Sequence, residues 1–491
     1  MLANMRETAV LILTLLSATS VNAYRWFNWE FDVTCEATDY VVPASEAELA
    51  AFLKHEHPKG SFIKAVGNGH GLSNLTTCVD VSTTDRDSYI LSLSKLRDIK
   101  FGHNNTVTFG AGWDLVDIVP ELIARKLQPA NLCSERVQNF IGAATTGTHG
   151  TGKNLGNIAS NILAFRVVDA AGNIHVINNE TDPDGLKAFK ISLGALGIVT
   201  EVTLQAEPLQ FIKRTTEVVQ ASANVTEQAA LIKKYAEQHD RINIAGPTYS
   251  WDDTKQEWEI LPTFTLMYWE PTDVTGVYNC STNFCSNGCG DCSNNSFCYD
   301  LAPYSISVPP AGVCSRAFMG QIEHFVPLEQ LESASIDYTN LQLSHTDKLK
   351  GLANSVAVYE YRFIHGDDAF LSPANTYNLP ANSSGIFAAI TITYIPTYNE
   401  YEALWAYTDT LGTFVSELGA KHNVRPHWNK NSVFNLTYAQ TAYPHVDKWL
   451  DIEAKYDPKC QFANRFVVDH LDIERCQDIV PTAVPTLLVK A

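Results

Sequence analysis

Three glycine-rich stretches carry the first chemical signal in this sequence. The stretch Val66-Gly67-Asn68-Gly69-His70-Gly71-Leu72-Ser73 follows an apolar strand pattern, Phe62 to Val66. Its glycines let the backbone come close to a ligand and turn N–H groups toward an anion such as a pyrophosphate. The spacing is not G-x-G-x-x-G opening a helix, so a Rossmann-type nicotinamide site is not indicated. The second stretch is Gly142-Ala143-Ala144-Thr145-Thr146-Gly147-Thr148-His149-Gly150-Thr151-Gly152. It offers no core-forming side chain, which suits backbone laid against a flat, phosphate-bearing cofactor. A flexible loop is the competing reading. The third, Ser192 to Val199 with Gly197 and Ile198, alternates small and aliphatic residues ahead of a strand at Glu201–Leu204. Taken singly, each is only a turn.

A second kind of signal lies further along. Glu360 and Arg362 are two apart, so on a strand both project from one face. Such a pair can act on a substrate, or it can be a surface ion pair worth little. Thr391 and Thr393 alternate in the same way on the predicted strand Ala389–Tyr394. Lys430 and His427 sit close together near the C-terminal end.

The elements that must position these groups have two textures. From about residue 40 to 208, short β runs alternate with amphipathic helices. Asp114 is expected to cap a helix that gathers Leu115, Ile118, Val119, Leu122 and Ile123 on one face. The runs at 161–168 and 173–177 flank Asp-Ala-Ala-Gly, a hairpin pattern. From about 209 to 455 come aromatic strands and one long helix, with Leu404, Tyr407, Leu411, Phe414 and Leu418 in helical register and Gly419 as its expected end. The expected division is a targeting segment over 1–23, a cofactor domain over 24–208, a substrate domain over 209–455 and a returning C-terminal segment over 456–491. A chain of 491 residues is long enough for two cores.

Composition narrows the class. With 35 Lys+Arg against 54 Asp+Glu, the net charge of −19 repels phosphate backbones and anionic lipid, which argues against nucleic-acid and membrane-surface partners. Arg6 precedes an apolar run, Ala9 to Leu16, too short to span a bilayer, and Val21 and Ala23 fit a signal-peptidase site. That reading makes the protein secreted or lumenal, and the Asn-x-Ser/Thr triplets at Asn74, Asn104, Asn179, Asn224, Asn279, Asn294, Asn382 and Asn435 suit a glycoprotein. Eleven cysteines in such a compartment imply disulfides and, the total being odd, one thiol left over. Six of them fall between Cys280 and Cys314, where a disulfide-stapled insertion outweighs a zinc site. No metal site is expected.

Taken together, the three loops resemble those of the vanillyl-alcohol-oxidase (VAO/PCMH) type of FAD-binding domain. Later motifs narrow the resemblance to its aldonolactone oxidase group, with the alditol oxidases next. These motifs are Ile322 to Pro327, Glu360-Tyr361-Arg362-Phe363, Gly366-Asp367-Asp368, Leu371-Ser372-Pro373, and Arg425-Pro426-His427-Trp428-Asn429-Lys430, close to an HWxK pattern. Asp457-Pro458, Phe462 and Asn464 match the segment that returns to the flavin domain.

The resemblance implies an α+β fold with an FAD domain and a cap built on a large antiparallel sheet. It implies FAD bonded through the His70 imidazole, a neutral ring nitrogen being the nucleophile such a bond requires. Gly71 departs from the serine common at that position. Cys133 lies outside the position of a second, cysteinyl tether. In the pocket, Arg362 would orient the reacting hydroxyl, Glu360 would position Arg362 or bind a substrate hydroxyl, and Lys430 would support charge on the flavin. His427 would assist or be a satisfied core histidine, and Thr391 and Thr393 would face the substrate together. The implied reaction is hydride transfer from a sugar-derived 1,4-lactone of the L-gulono- or D-arabinono- type, with dioxygen as acceptor and hydrogen peroxide released. Alditol oxidation, a dehydrogenase with another acceptor, and a flavin- or carbohydrate-binding protein without turnover are the alternatives.

Overall fold

Strand register decides which side chains of this chain meet at one place. The computed structural model describes residues 23–29, 33–252, 254–278, 296–307, 320–344, 356–395, 414, 417–431 and 434–481. The targeting segment up to residue 22, most of the cysteine-rich stretch and Leu404, Tyr407 and Leu411 of the expected helix lie outside the described residues.

Among the described residues, the N-terminal half holds two main sheets, beside the two-stranded pairs of Tyr24–Phe27 with Thr34–Ala37 and of Leu127–Gln128 with Glu207–Pro208. Asp39–Val41, Ser88–Leu91 and Phe62–Ala65 form a small parallel sheet, and the first glycine-rich loop leaves the end of Phe62–Ala65. Ile174–Asn178, Ile162–Val168, Ile198–Gln205, Thr106–Gly110 and Ile99–Phe101 form a five-stranded antiparallel sheet in that order, which contains the expected hairpin. Asp114 stands at the start of the helix Leu115–Ala124 but makes no side-chain cap bond; Asn139 Nδ2 lies 3.4 Å from its carboxylate instead.

Among the described residues, the second half is organised on nine antiparallel strands. Helices Val225–Gln238 and Leu331–Ser344 cover one face of this sheet. In the strand Val356–His365, Ala357, Tyr359, Tyr361 and Phe363 are fully buried in the core they share with those helices. Period-2 alternation therefore turns Val358, Glu360 and Arg362 to the opposite face. The register then lays Ala245 beside Glu360, Glu360 beside Thr391 and Thr391 beside Glu323 in one row. Gly419 does not end the helix that precedes this sheet's last strand. That helix runs to residue 422 and turns at Asn423, which takes a left-handed φ of 48°; a side chain at 419 would strike the Tyr438 ring.

The C-terminal helices Val446–Tyr456 and Arg465–Leu471 pack in the same core as the N-terminal elements, through Trp449, Tyr456, Val467 and Val468. Buried Asp457 accepts from the N–H groups of Gln461 and Phe462, both at 2.8 Å. Asn464 Nδ2 donates to the carbonyls of Leu75 and Thr77, both at 2.9 Å, just beyond the first glycine-rich loop. Disulfides join Cys35 to Cys78 and Cys460 to Cys476, and Cys133 carries a buried free thiol.

Candidate active site

A chain of three cavities, of about 280, 90 and 200 Å³, runs from within the N-terminal half into the cleft between the two halves. The outer and middle cavities share Val66, Gly67, Asn68, Gly142 and Thr145; the middle and inner cavities share His70, Gln138 and Asn429. Gly197 and Ile198 line the outer cavity, and Gly69, Gly71 and Thr146 the middle one. A groove walled largely by small residues and backbone suits a dinucleotide flavin in character. At Gly67 a Cβ would lie 2.6 Å from that of Asn139, so the two loops touch backbone to side chain with no room for more. Asn139 is itself fixed, accepting from Gly142 N at 3.1 Å and donating to Ala111 O at 2.9 Å.

His70 marks the passage from middle to inner cavity. The loop reaches it through Gly69, whose φ of 66° is a conformation that other residues resist. The Trp29 ring stacks on the imidazole at 5.2 Å. Burial, then the nearby Lys430 charge, push the His70 pKa down to about 4, so the ring is neutral at physiological pH. Gly71 has a local reason: a Cβ there would fall 2.3 Å from Asn429 Oδ1, so Asn429 fills the space a serine would need. The loop is held all the same, by Asn28 Nδ2 on Gly71 O at 3.0 Å and by Leu72 N on Asn429 O at 3.1 Å. Ser73 Oγ donates to Trp428 O at 3.0 Å, so the 427–431 segment is stitched to the loop that carries His70.

The inner cavity collects charged side chains. Glu360, Arg362, Lys430, His427, Thr393, Thr148, His149 and Leu72 line it together with His70. Asn243 Nδ2 donates to Glu360 Oε1 at 2.6 Å. The partner of Arg362 is Glu323, not Glu360. Glu323 is 1% exposed and also accepts from Thr391 Oγ1 at 3.0 Å, with His149 Nε2 at the same distance. Burial opposes the Glu323 charge, but the Arg362 guanidinium and His149 outweigh it and hold the carboxyl well below its usual range. Lys430 is bonded to Gln321, which donates to Thr393 Oγ1 at 2.8 Å; burial lowers the Lys430 pKa. Burial also pushes His427 down to about 3, and its neutral Nδ1 accepts from Asn429 N at 3.1 Å.

Not every expected residue faces the cleft. Thr391 is fully buried behind the cavity wall, bonded to Glu323, so the two threonines do not face substrate together. Gly147, Gly150, Thr151 and Gly152 line none of the three cavities. Thr151 Oγ1 instead donates to Ile242 O at 2.6 Å and accepts from Phe363 N at 3.1 Å, and Gly152 bridges Ile364: this end of the loop locks the two halves together. Asp367 and Ser372 serve the same junction, Asp367 accepting from Asn157 Nδ2 at 2.9 Å and from Ser372 Oγ at 2.8 Å.

Sequence reasoning missed Glu323, Glu135, Trp29 and Lys64. Glu323 lay inside a strand quoted for its pattern, and only the partner 39 residues on reveals its role. Glu135 lines the inner cavity, and burial raises its pKa. His149, Glu323 and His427 place ligand-type atoms within 4.8 Å of one another. Arg362 already pairs with that carboxylate and Lys430 adds a second positive charge, which disfavours a metal cation there.

Comparison with known proteins agrees with this geometry. Residues 38–178 match the model of an FAD binding domain, and residues 323–470 that of D-arabinono-1,4-lactone oxidase. The L-gulonolactone oxidase of Scyliorhinus torazame is 26% identical over 468 residues, spanning 90% of this chain and 97% of that protein. The L-gulono-1,4-lactone dehydrogenase of Mycobacterium tuberculosis is 33% identical over 189 residues; the match spans 38% of this chain and 42% of the dehydrogenase. In fold, the chain is similar to the cholesterol oxidase of B. sterolicum, with a TM-score of 0.71 at 15% identity over 91% of this chain and 97% of the other. The two matched models flank a cleft that fits FAD, and the chain belongs to the aldonolactone oxidase group of the vanillyl-alcohol-oxidase-type FAD flavoproteins.

Proposed function

We propose that this protein oxidises a ring hydroxyl of a sugar-derived 1,4-lactone, with dioxygen as final electron acceptor and hydrogen peroxide as product. The observation that carries the reading is the convergence of Glu360, Arg362 and Lys430 on the cavity that His70 also lines. FAD supplies the hydride acceptor when bound. His70, neutral and stacked on Trp29, has the protonation state that a bond to the flavin methyl carbon requires. Trp29, His70 and Asn429 are the groups that would hold the ring end of the cofactor.

The protein side chains divide the remaining work. Arg362, braced from behind by Glu323, presents its guanidinium to the reacting hydroxyl and stabilises negative charge on that oxygen as its proton leaves. Glu360 is anchored through one oxygen by Asn243, which leaves the other to bind a neighbouring hydroxyl. Lys430 brings a positive charge to the cavity wall opposite Glu135, where it supports charge that develops as hydride departs. Arg362 is 9% exposed, so these interactions act where water competes poorly. The two described disulfides support a secretory compartment, and no helix among the described residues is long and apolar enough to cross a membrane.

The test is peroxide release from the purified protein given L-gulono-1,4-lactone and xylitol side by side. Peroxide with the lactone preferred is the expected result. Preference for xylitol would move the chain to alditols. Flavin bleaching by the lactone under anaerobic conditions, without peroxide in air, would make it a dehydrogenase.

A further inference from the structure

Beneath the middle cavity sits a charged group with nothing to answer it. Lys64 belongs to the strand Phe62–Ala65, just upstream of the first glycine-rich loop, and is 5% exposed. Its Nζ has no hydrogen-bond partner in the protein, and it lines the middle cavity with Gly67, Thr146, Leu193 and Gly194. A Cβ built on Gly194 would stand 3.6 Å from that Nζ, so the glycine leaves the ammonium uncovered on the cavity side. Burial pushes the Lys64 pKa down to about 8, and no nearby acid offsets it. A buried ammonium left unpaired is strongly disfavoured, so its place in the fold calls for an anion.

We infer that Lys64 is the counter-charge for the diphosphate of bound FAD. The cofactor has its flavin ring at one end, adenosine at the other and the diphosphate between. His70 fixes the ring end at the inner cavity, the outer cavity takes the adenosine, and the diphosphate falls in the middle cavity. Among the described residues lining it, Thr145 and Thr146 already donate their hydroxyls to Ile141 O and Gly142 O, and Lys64 supplies the full positive charge. The proposal rests on the FAD reading and on this orientation of it.

The test uses apoprotein from a riboflavin-starved host, titrated with 8-demethyl-FAD and with 8-demethylriboflavin while flavin fluorescence is followed. Both lack the methyl carbon through which a bond would form, so binding is reversible, and only the first carries a diphosphate. Lys64→Met should weaken 8-demethyl-FAD on the order of 10- to 100-fold, the range expected for a charge-assisted hydrogen bond. It should leave 8-demethylriboflavin within about threefold, less than half of the 1.4 kcal/mol that a tenfold change represents. Lys64→Arg, which keeps the charge, should recover most of the loss. An equal loss for both flavins would make Lys64 a structural residue, and no loss for 8-demethyl-FAD would also overturn the proposal. If the unsubstituted chain bound 8-demethylriboflavin but gained nothing from the diphosphate arm, the orientation would fall and the proposal with it.

Discussion

The two walls of the cleft recognise by different means. On the FAD-domain side the wall is mostly backbone and small residues: Gly67, Gly69, Gly142 and Thr145 touch the groove, Arg97 and Asp114 stand at the outer cavity, and Lys64 lies beneath the floor of the middle one. On the cap side the wall is charge: Glu360, Arg362 and Lys430 project from the sheet and the segment beside it. A backbone wall tolerates no added volume, because the loops already touch. A charged wall tolerates volume but not unbalanced charge, because Glu323 is the buried anion that lets Arg362 keep its place. Substitutions should therefore fail in two distinguishable ways.

Arg362→Ala should show the largest effect. It removes the cation proposed to face the reacting oxygen, and kcat/KM should fall by about 10²- to 10³-fold, as for loss of a donor to a developing oxyanion. Arg362→Lys should recover only part, since an ammonium cannot reproduce the planar fork held by Glu323. The flavin spectrum should stay unchanged in both. Full turnover in the alanine variant would remove Arg362 from the chemistry.

Next in size comes Glu323→Gln, at a residue that reaches the inner cavity but acts through Arg362. It leaves Arg362 and His149 without their shared carboxylate, so about 10²-fold of kcat should go, corresponding to roughly 3 kcal/mol for a broken buried pair. Glu323→Asp should recover part of it. A Glu323→Gln protein whose melting point fell while kcat held would show that the carboxylate serves stability alone.

How much of this was legible depends on which wall is considered. The backbone wall could be read because a ligand-hugging loop needs small residues in sequence, and Val66 to Leu72 shows them. The same rule overreached at Gly147, Gly150, Thr151 and Gly152, which line no cavity, and Thr151 and Gly152 serve a close junction with Phe363 and Ile364 instead. On the charged wall, Glu360 and Arg362 could be read from period-2 alternation, and Lys430 from its motif. Glu323 could not, since its value comes from strand order: the strand Gly320–Pro327 lies one strand beyond Ile386–Ile395, itself paired to the strand of Arg362. Thr391 and Thr393 share a face, yet the register puts Thr391 over Glu323 and Thr393 over Gln321, and only Thr393 reaches the cavity. Lys64 read as one more strand residue because nothing in the neighbouring sequence shows that it lacks a partner.

A smaller effect tests the backbone wall. Gly67→Ala would press a methyl into Asn139, which is pinned by three backbone groups. Overpacking of this kind costs about 1–3 kcal/mol. The melting temperature and the flavin-to-protein absorbance ratio should fall together, while kcat per bound flavin stays near that of the parent. A kcat per flavin reduced as far as in Arg362→Ala would erase the distinction between the walls.

The smallest expected effect is a flat line, and it is the sharpest test of how the backbone wall treats charge. The cap side pins Glu323 ionised; the FAD side does the reverse at His70, whose proton is expelled by burial and by Lys430 until its pKa reaches about 4. Because the folded pKa lies below the ordinary 6.5, the ring stays neutral as pH falls from 7 to 5. The sign for stability follows: between pH 6.5 and 4 the unfolded chain binds a proton that the folded one refuses, so His70 costs stability as pH falls through that window. Formation of acid-stable flavin from apoprotein and FAD should thus be independent of pH between about 5 and 7.5, the range in which a buried neutral ring keeps its nucleophile. An attachment yield that halves near pH 6.5 would mean an imidazole titrating as it does in water. His70 would then lie outside the desolvated passage between the middle and inner cavities, and the two walls would share one electrostatic regime.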